Sequence, residues 1–272
     1  MPQALLMLSA LAMPLIAWLS QRGVFGPDNG TISNQYPTLL VAQGYAFSIW
    51  GVIFLLDLIF ALWMLRGQRS TEGSTAAPRP TSHRCVVLVT VGFALTASWM
   101  IVFSQRWFWV ALAVMWLALI SMVWALMLVA HARPRGAAAW MTLLPLGLHA
   151  GWLSLAAFLN TAQVIVAEQL LPTVDQLPWS LVLWALAALL VLVANARLHQ
   201  PMVPIAGVAY VVAAVWGLVG VYVKQSHSEL PGAHTSAWVA AALVVVVIAQ
   251  TLWLRLRGTQ PTDAQRMSYR PH

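Results

Sequence analysis

Residues 145–160 read PLGLHAGWLSLAAFLN, and the spacing within them decides how the rest of the chain is read. On a helix, Pro145, His149, Trp152, Ala156 and Asn160 follow one another at steps of four, three, four and four. One imidazole, one indole and one amide therefore share a face. Leu148, Leu155 and Leu159 flank that face with aliphatic walls. The segment is too apolar for a helix half covered by water and too polar along one side to meet lipid all round. A helix that lines an interior space satisfies both conditions.

The surrounding chain has the composition of a membrane protein. Its 272 residues are 61% hydrophobic and 8% charged, with a mean hydropathy of +0.78, whereas soluble domains carry about a quarter charged residues. The expected fold is all-α, a polytopic membrane helix bundle of about eight transmembrane helices, because helices satisfy their own backbone groups inside lipid. Runs long enough to cross a bilayer fall at 3–21, 44–66, 84–104, 107–131, 139–165, 179–198, 201–223 and 235–256. The breaks between them are chemical: Gly26-Pro27-Asp28-Asn29-Gly30, a polar stretch at 67–80, and further Pro/Gly joints near 134, 172–178 and 231.

Charge sets the expected orientation. With the amino terminus inside, eleven of the fourteen basic residues fall on the cytoplasmic side, and Arg22, Arg106 and Lys224 fall opposite. This bias predicts cytoplasmic termini, and the membrane expected is a bacterial inner membrane. No small-x-small site follows the first apolar run and no basic side chain precedes it, so it is read as an uncleaved span. The net charge of +7 comes without an aromatic–basic module, which argues against nucleic acid as a partner. The single Cys85 excludes an intrachain disulfide and a cysteine-rich metal site. His227 and His234 are too loosely spaced to read as metal ligands.

Fifteen tryptophans are present. Trp107, Trp109, Trp140, Trp179 and Trp238 sit at span ends, as an interfacial belt requires. Trp50, Trp99, Trp116, Trp152 and Trp216 lie inside spans, where helix packing or a planar hydrophobic ligand gives them a role.

The second span repeats the pattern of the fifth. Phe47, Trp50, Phe54, Asp57 and Ala61 share a face, and Asp57 is the sole carboxylate inside any span. An ionised, unpartnered Asp at that depth costs about 2.5–3.5 kcal/mol on insertion scales, so Asp57 requires a partner, a proton or water. Counting about 1.5 Å per residue, Asp57 and His149 lie about 14 and 15 Å from the same end of their antiparallel helices. Trp50 and Asn160 lie about 8–9 Å from the other end. If the two helices face each other, Asp57 meets His149 while Trp50 and Asn160 line one cavity. The pair is read either as a contact that fixes packing or as a ligand or proton site, with His149 as an axial haem ligand a further reading.

Taken together, these residues resemble the TspO/translocator-protein family, also called tryptophan-rich sensory proteins. The resemblance rests on Gly44-Tyr45-Ala46-Phe47-Ser48-Ile49-Trp50 followed by Phe54, on Trp99 and Phe103 in the third span, and on the fifth span. There Trp152, Leu155, Ala156, Leu159 and Asn160 follow the pattern W-x-x-F-A-x-x-L-N, with Leu for Phe. A long first loop with Tyr36 and Pro37 precedes the second span, also as in the family. The chain departs from the pattern at Ala42-Gln43, where the family has a proline pair, and at Leu148-His149, where Pro-Tyr is common. The step from Phe47 to Trp50 is also one residue short.

The resemblance implies a five-helix unit over residues 1–165; the later spans add a three-helix extension over 166–257, and the polar segment with Pro261 and Pro271 is expected as a flexible cytoplasmic tail at 258–272. The resemblance further implies a membrane-embedded binding, sensor or carrier protein for a flat hydrophobic ligand: a porphyrin, haem or other tetrapyrrole, or a sterol-like lipophile. That ligand would lie between the second, third and fifth spans, capped by the first loop. The expected lining residues are Tyr45, Phe47, Trp50, Phe54, Asp57, Trp99, Phe103, His149, Trp152, Ala156 and Asn160.

Two other functions fit the residues alone. One is a proton-coupled transporter using Asp57 and His149. The other is an accessory subunit whose last three spans dock on a larger membrane complex or a second copy. Gly217 and Gly220 would allow close helix contact there. No histidine box, HExxH, CxxC, serine–lysine or paired-carboxylate constellation is visible, so catalysis would depend on a cofactor or on the substrate.

Overall fold

The computed structural model describes residues 2–69, 81–199 and 204–258. The polar stretch at 70–80 and the tail at 259–272 lie outside the described residues, and so do the expectations that fall on them. The described residues form α1 (Pro2–Gln21), a short α2 (Asn29–Gln35), a 3-10 turn (Gly44–Ser48), α3 (Ile49–Arg69), α4 (His83–Ser104), α5 (Phe108–His131), α6 (Gly136–Ala167), α7 (Leu177–Leu198), α8 (Ile205–Ser226) and α9 (Ala233–Gly258). Eight of these segments are long and apolar enough to cross a membrane, the second of them running from Gly44 through the 3-10 turn into α3. The chain is a multi-pass integral membrane protein, all-helical among its described residues.

Local chemistry sets the ends of the helices. Ser82 caps α4 by accepting a hydrogen bond from the Cys85 amide, and Asp28 caps α2 by accepting one from Thr31. At their other ends α4, α5 and α6 run into left-handed residues, Arg106 (φ 59), Arg133 (φ 49) and Gln169 (φ 52). Such residues turn the chain sharply out of a helix. They explain the tight antiparallel joints after α4 and α5.

The most buried span is α6 and the least buried is α9. The most extensive contact in the bundle joins α6 to α8, and α6 also packs on α5, α3 and α7. Small residues make the α6–α8 approach so close. A Cβ at Gly147 would lie 2.7 Å from that of Ala209, and one at Gly151 would collide with the backbone carbonyl of Tyr210. The Tyr210 hydroxyl donates to Ser154 Oγ at 2.7 Å across the same seam. At the other end of α8, Gly217 receives Leu155 and Gly220 receives Ala46 of the 3-10 turn.

The interior tryptophans mostly bridge helices. Trp99 donates to Asn160, Trp116 to Thr161, Trp184 to Ser236 and Trp216 to the Ala46 carbonyl. At the span ends, Trp107, Trp109, Trp140 and Trp238 are exposed.

Candidate ligand-binding site

Two spaces that share Phe47 and Trp50 lie beside the aromatic face of the second span. The larger is a groove of about 630 Å³ between α1 and α3, with Met100 of α4 at its floor. Its α3 wall is Phe47, Trp50, Gly51, Phe54, Leu55 and Leu58, and its α1 wall includes Pro14, Ala17 and Trp18. At one end stand the polar groups of Gln21, Asp28 and Asn29. Its volume falls within the roughly 300–1,000 Å³ typical of small-molecule sites. Gly51 faces open space on this wall, since a Cβ there would meet nothing within 4 Å.

The smaller space lies behind the groove and shares Phe47 and Trp50 with it. It is about 20 Å³, lined by Trp99, Met115, Trp152, Ala156, Leu159, Asn160 and Gln163, with Ser33 and Val41 contributed by the first loop. Trp152 stands edge-on to both shared rings, its centroid 6.1 Å from Phe47 and 5.9 Å from Trp50. Asn160 Oδ1 accepts from Trp99 Nε1 at 2.8 Å. Its amide nitrogen and the Trp152 indole nitrogen are buried without a hydrogen-bond partner in the protein. Each such orphaned donor costs about 1–3 kcal/mol.

Asp57 and His149 meet behind Trp50. His149 Nδ1 lies 2.8 Å from Asp57 Oδ2, both side chains fully buried. The other ring nitrogen, Nε2, lies 3.1 Å from Thr96 Oγ1, and Thr96 donates to the Gly92 carbonyl at 2.9 Å. With the hydroxyl proton on Gly92, Thr96 accepts from Nε2–H, which leaves one proton shared between Nδ1 and Asp57. Phe93 stacks on the imidazole with its plane 9° away, and Trp50 meets it edge-on. Both imidazole nitrogens are thus engaged and the ring lines neither space. Axial ligation of haem by His149 does not fit this arrangement.

The other expected residues divide the same way. Phe47, Trp50, Phe54, Trp99, Trp152, Ala156 and Asn160 line one or both spaces. Asp57 lines neither. Phe103 is buried and stacks on Trp99 from behind, 4.9 Å between centroids. Tyr45 is 43% exposed and stands against Trp216. The first span's share of the groove, with Met115, Gln163 and Ser33, went unread in the sequence, where these residues belong to no aromatic or charged pattern. Thr96 and Phe93 were also missed. Their only signal is that they lie three apart on one helical face, as any apolar span would offer.

The first loop is held down from the far side of the bundle. Gln225 of α8 donates to the carbonyls of Thr38 and Val41 at 3.0 and 3.1 Å. The Gln43 amide donates to Gly220 at 2.9 Å, Ser236 of α9 donates to Leu39, and Gln176 donates to Pro37. Asp28 accepts from the Thr31 hydroxyl at 2.6 Å and from its amide at 3.0 Å. These bonds, the hydroxyl's first, hold its carboxyl below the usual value of 3.8 against a small opposing effect of burial. Among the described residues no three His, Cys, Asp or Glu side chains cluster as a metal site would require.

In a comparison with protein families, the family described as TSPO-like protein aligns with residues 3–253. No curated protein and no solved structure matches the chain.

Proposed function

The chain belongs to the TSPO-like family, and from that premise we propose that it binds a flat hydrophobic molecule, a porphyrin or another tetrapyrrole, as a membrane sensor or carrier. The observation that carries this reading is the groove of about 630 Å³ whose inner wall is the ring series Phe47, Trp50 and Phe54. Trp50 and Phe54 are stacked 24° apart at 5.1 Å and present aromatic surface to the space. Planar π-systems are favoured against such surfaces in offset or edge-on geometry. The groove is bounded by membrane-spanning helices, which suits a ligand that partitions from lipid. In this reading the termini are cytoplasmic, in a bacterial inner membrane.

Asp57 and His149 support this site from behind. They hold α3 against α6 and so fix the plane of Trp50, which their imidazole touches.

The test is an absorbance and tryptophan-quenching titration of the detergent-solubilised protein with protoporphyrin. Saturable one-site binding is expected in the wild type. Gly51→Phe, which fills the groove from a position with open space around its Cα, should abolish it. Non-saturable uptake that is equal in both proteins would overturn the reading.

A further inference from the structure

We infer that the groove selects a ligand whose polar edge is neutral or cationic, such as an ester, amide or amine, and disfavours one that ends in carboxylates. The inference rests on the groove being the binding site and narrows what that site takes.

The groove is polar at one end only. Ser20, Gln21, Asp28 and Asn29 stand there, where α1 ends and the second span begins. Toward the other end it is lined by Pro14, Phe54, Leu55 and Leu58, all inside spans. A charged group is costly at such depth. The polar edge of a bound ligand therefore lies at the Asp28 end.

That end carries a negative charge. Asp28 is the only charged side chain among the described residues that line the groove. Its carboxyl accepts from the Thr31 hydroxyl at 2.6 Å and from the Thr31 amide at 3.0 Å, bonds that favour its ionised form. The same bonds occupy that amide, which is thereby closed to an incoming anion.

The cations nearby are engaged outside the groove. The Arg22 guanidinium lies over the Trp18 ring, 4.9 Å from its centroid, and Arg106 donates to Gln35 at 3.0 Å. Neither lines the groove. A carboxylate edge would meet a like charge with no lining cation to offset it, in surroundings less screened than water. An amine would meet the opposite charge. An ester or amide meets neither effect and can hydrogen-bond with the side-chain amides of Gln21 and Asn29.

The experiment titrates the full-length protein in neutral detergent with three porphyrins that share one ring system. They are protoporphyrin, its dimethyl ester, and its diamide with ethylenediamine, which ends in two amines. Affinities are read as ratios between Asp28→Asn and the wild type, so that each porphyrin's own partition into micelles cancels. Asn caps a helix about as well as Asp, so the change removes the charge and keeps α2. It should strengthen binding of the acid about fivefold, weaken that of the diamine about as much, and leave the ester unchanged. In the wild type, added salt should narrow the gap between acid and diamine, because it screens the Asp28 charge. Ratios of one for all three porphyrins would overturn the inference and leave the porphyrin site standing. An acid that binds more tightly than the ester, and loses that advantage in Arg22→Gln, would also overturn it. If Asp28→Asn melts far below the wild type, the salt series decides, and a gap indifferent to salt overturns the inference. Failure of all three porphyrins to saturate would overturn the proposed function, and the inference with it.

Discussion

Asp57 Oδ2 and His149 Nδ1 lie 2.8 Å apart with neither side chain exposed, and they tie α3 to α6 at mid-depth. Removing the acid should therefore loosen the bundle. An interhelical hydrogen bond in a membrane protein contributes about 1–2 kcal/mol at most, while breaking a buried ion pair costs about 3–5 kcal/mol. Asp57→Leu should lower thermal stability in detergent by an amount in one of these ranges. Asp57→Asn, whose amide can still donate to Nδ1, should recover most of the loss. Equal melting of Asp57→Leu and the wild type would show that the pair holds nothing together.

Gly151 and Gly51 make a controlled comparison. A methyl at Gly151 would run into the Tyr210 carbonyl of α8, so Gly151→Ala must push the two most extensively packed helices apart. Overpacking of this kind costs about 1–3 kcal/mol. The same methyl at Gly51 has open space, and Ala is favoured over Gly in a helix by about 0.5–1 kcal/mol. Thermal melts should show Gly151→Ala clearly destabilised and Gly51→Ala unchanged or slightly stabilised. The reverse order would contradict the described packing.

Gln225 tests the fastening of the first loop. Gln225→Leu removes both bonds to the Thr38 and Val41 carbonyls, at a cost of about 1–3 kcal/mol for buried acceptors left unpaired. Hydrogen exchange should accelerate at residues 38–43 more than in α5, which does not take part. Uniform protection across both regions would mean that the loop is held by its apolar contacts alone.

Acidity should release the same loop at its other end. Asp28 has a folded-state pKa below its ordinary value of 3.8, mainly through the Thr31 hydroxyl bond. A depressed carboxylate pKa adds stability that is present above the unfolded value and lost as the pH falls through the folded one. The protection of the Thr31 amide, its exchange rate measured against the unstructured rate at the same pH, should therefore be full at pH 5 and above and fall away as the pH drops below 3.8. Asp28→Ala should lack this protection at every pH, and an Asp28→Ala protein that keeps pH-dependent protection would assign the effect to another group.

Much of this architecture could be read from the sequence, for identifiable reasons. The eight spans stand out because a bilayer demands long apolar runs and the turns between them carry Gly, Pro and charge. Asp57 and His149 could be paired because charged or polar groups inside a span are few and depth along a helix is countable. What escaped was the partnership of ordinary residues. The groove between α1 and α3 is defined by Gly51, Pro14, Leu55 and Leu58, each of which is unremarked in an apolar helix. The anchoring of the first loop joins Gln225 to residues more than 180 positions away, and no local pattern encodes that distance. Tyr45 was drawn into the candidate site by its motif, yet its ring leans outward on Trp216 because the 3-10 turn rotates it off the face of Phe47 and Trp50.

The seam of α6 bears on what a shorter version of this protein would be. Gly147, Gly151 and Ser154 run along one side of that helix, with α8 seated in the notches they leave. A chain cut after residue 167 would turn this stripe of small residues toward the acyl chains, and such stripes draw helices together in membranes. The truncated protein would recruit a helix from a neighbouring molecule into the vacated track, exchanging an internal contact for self-association.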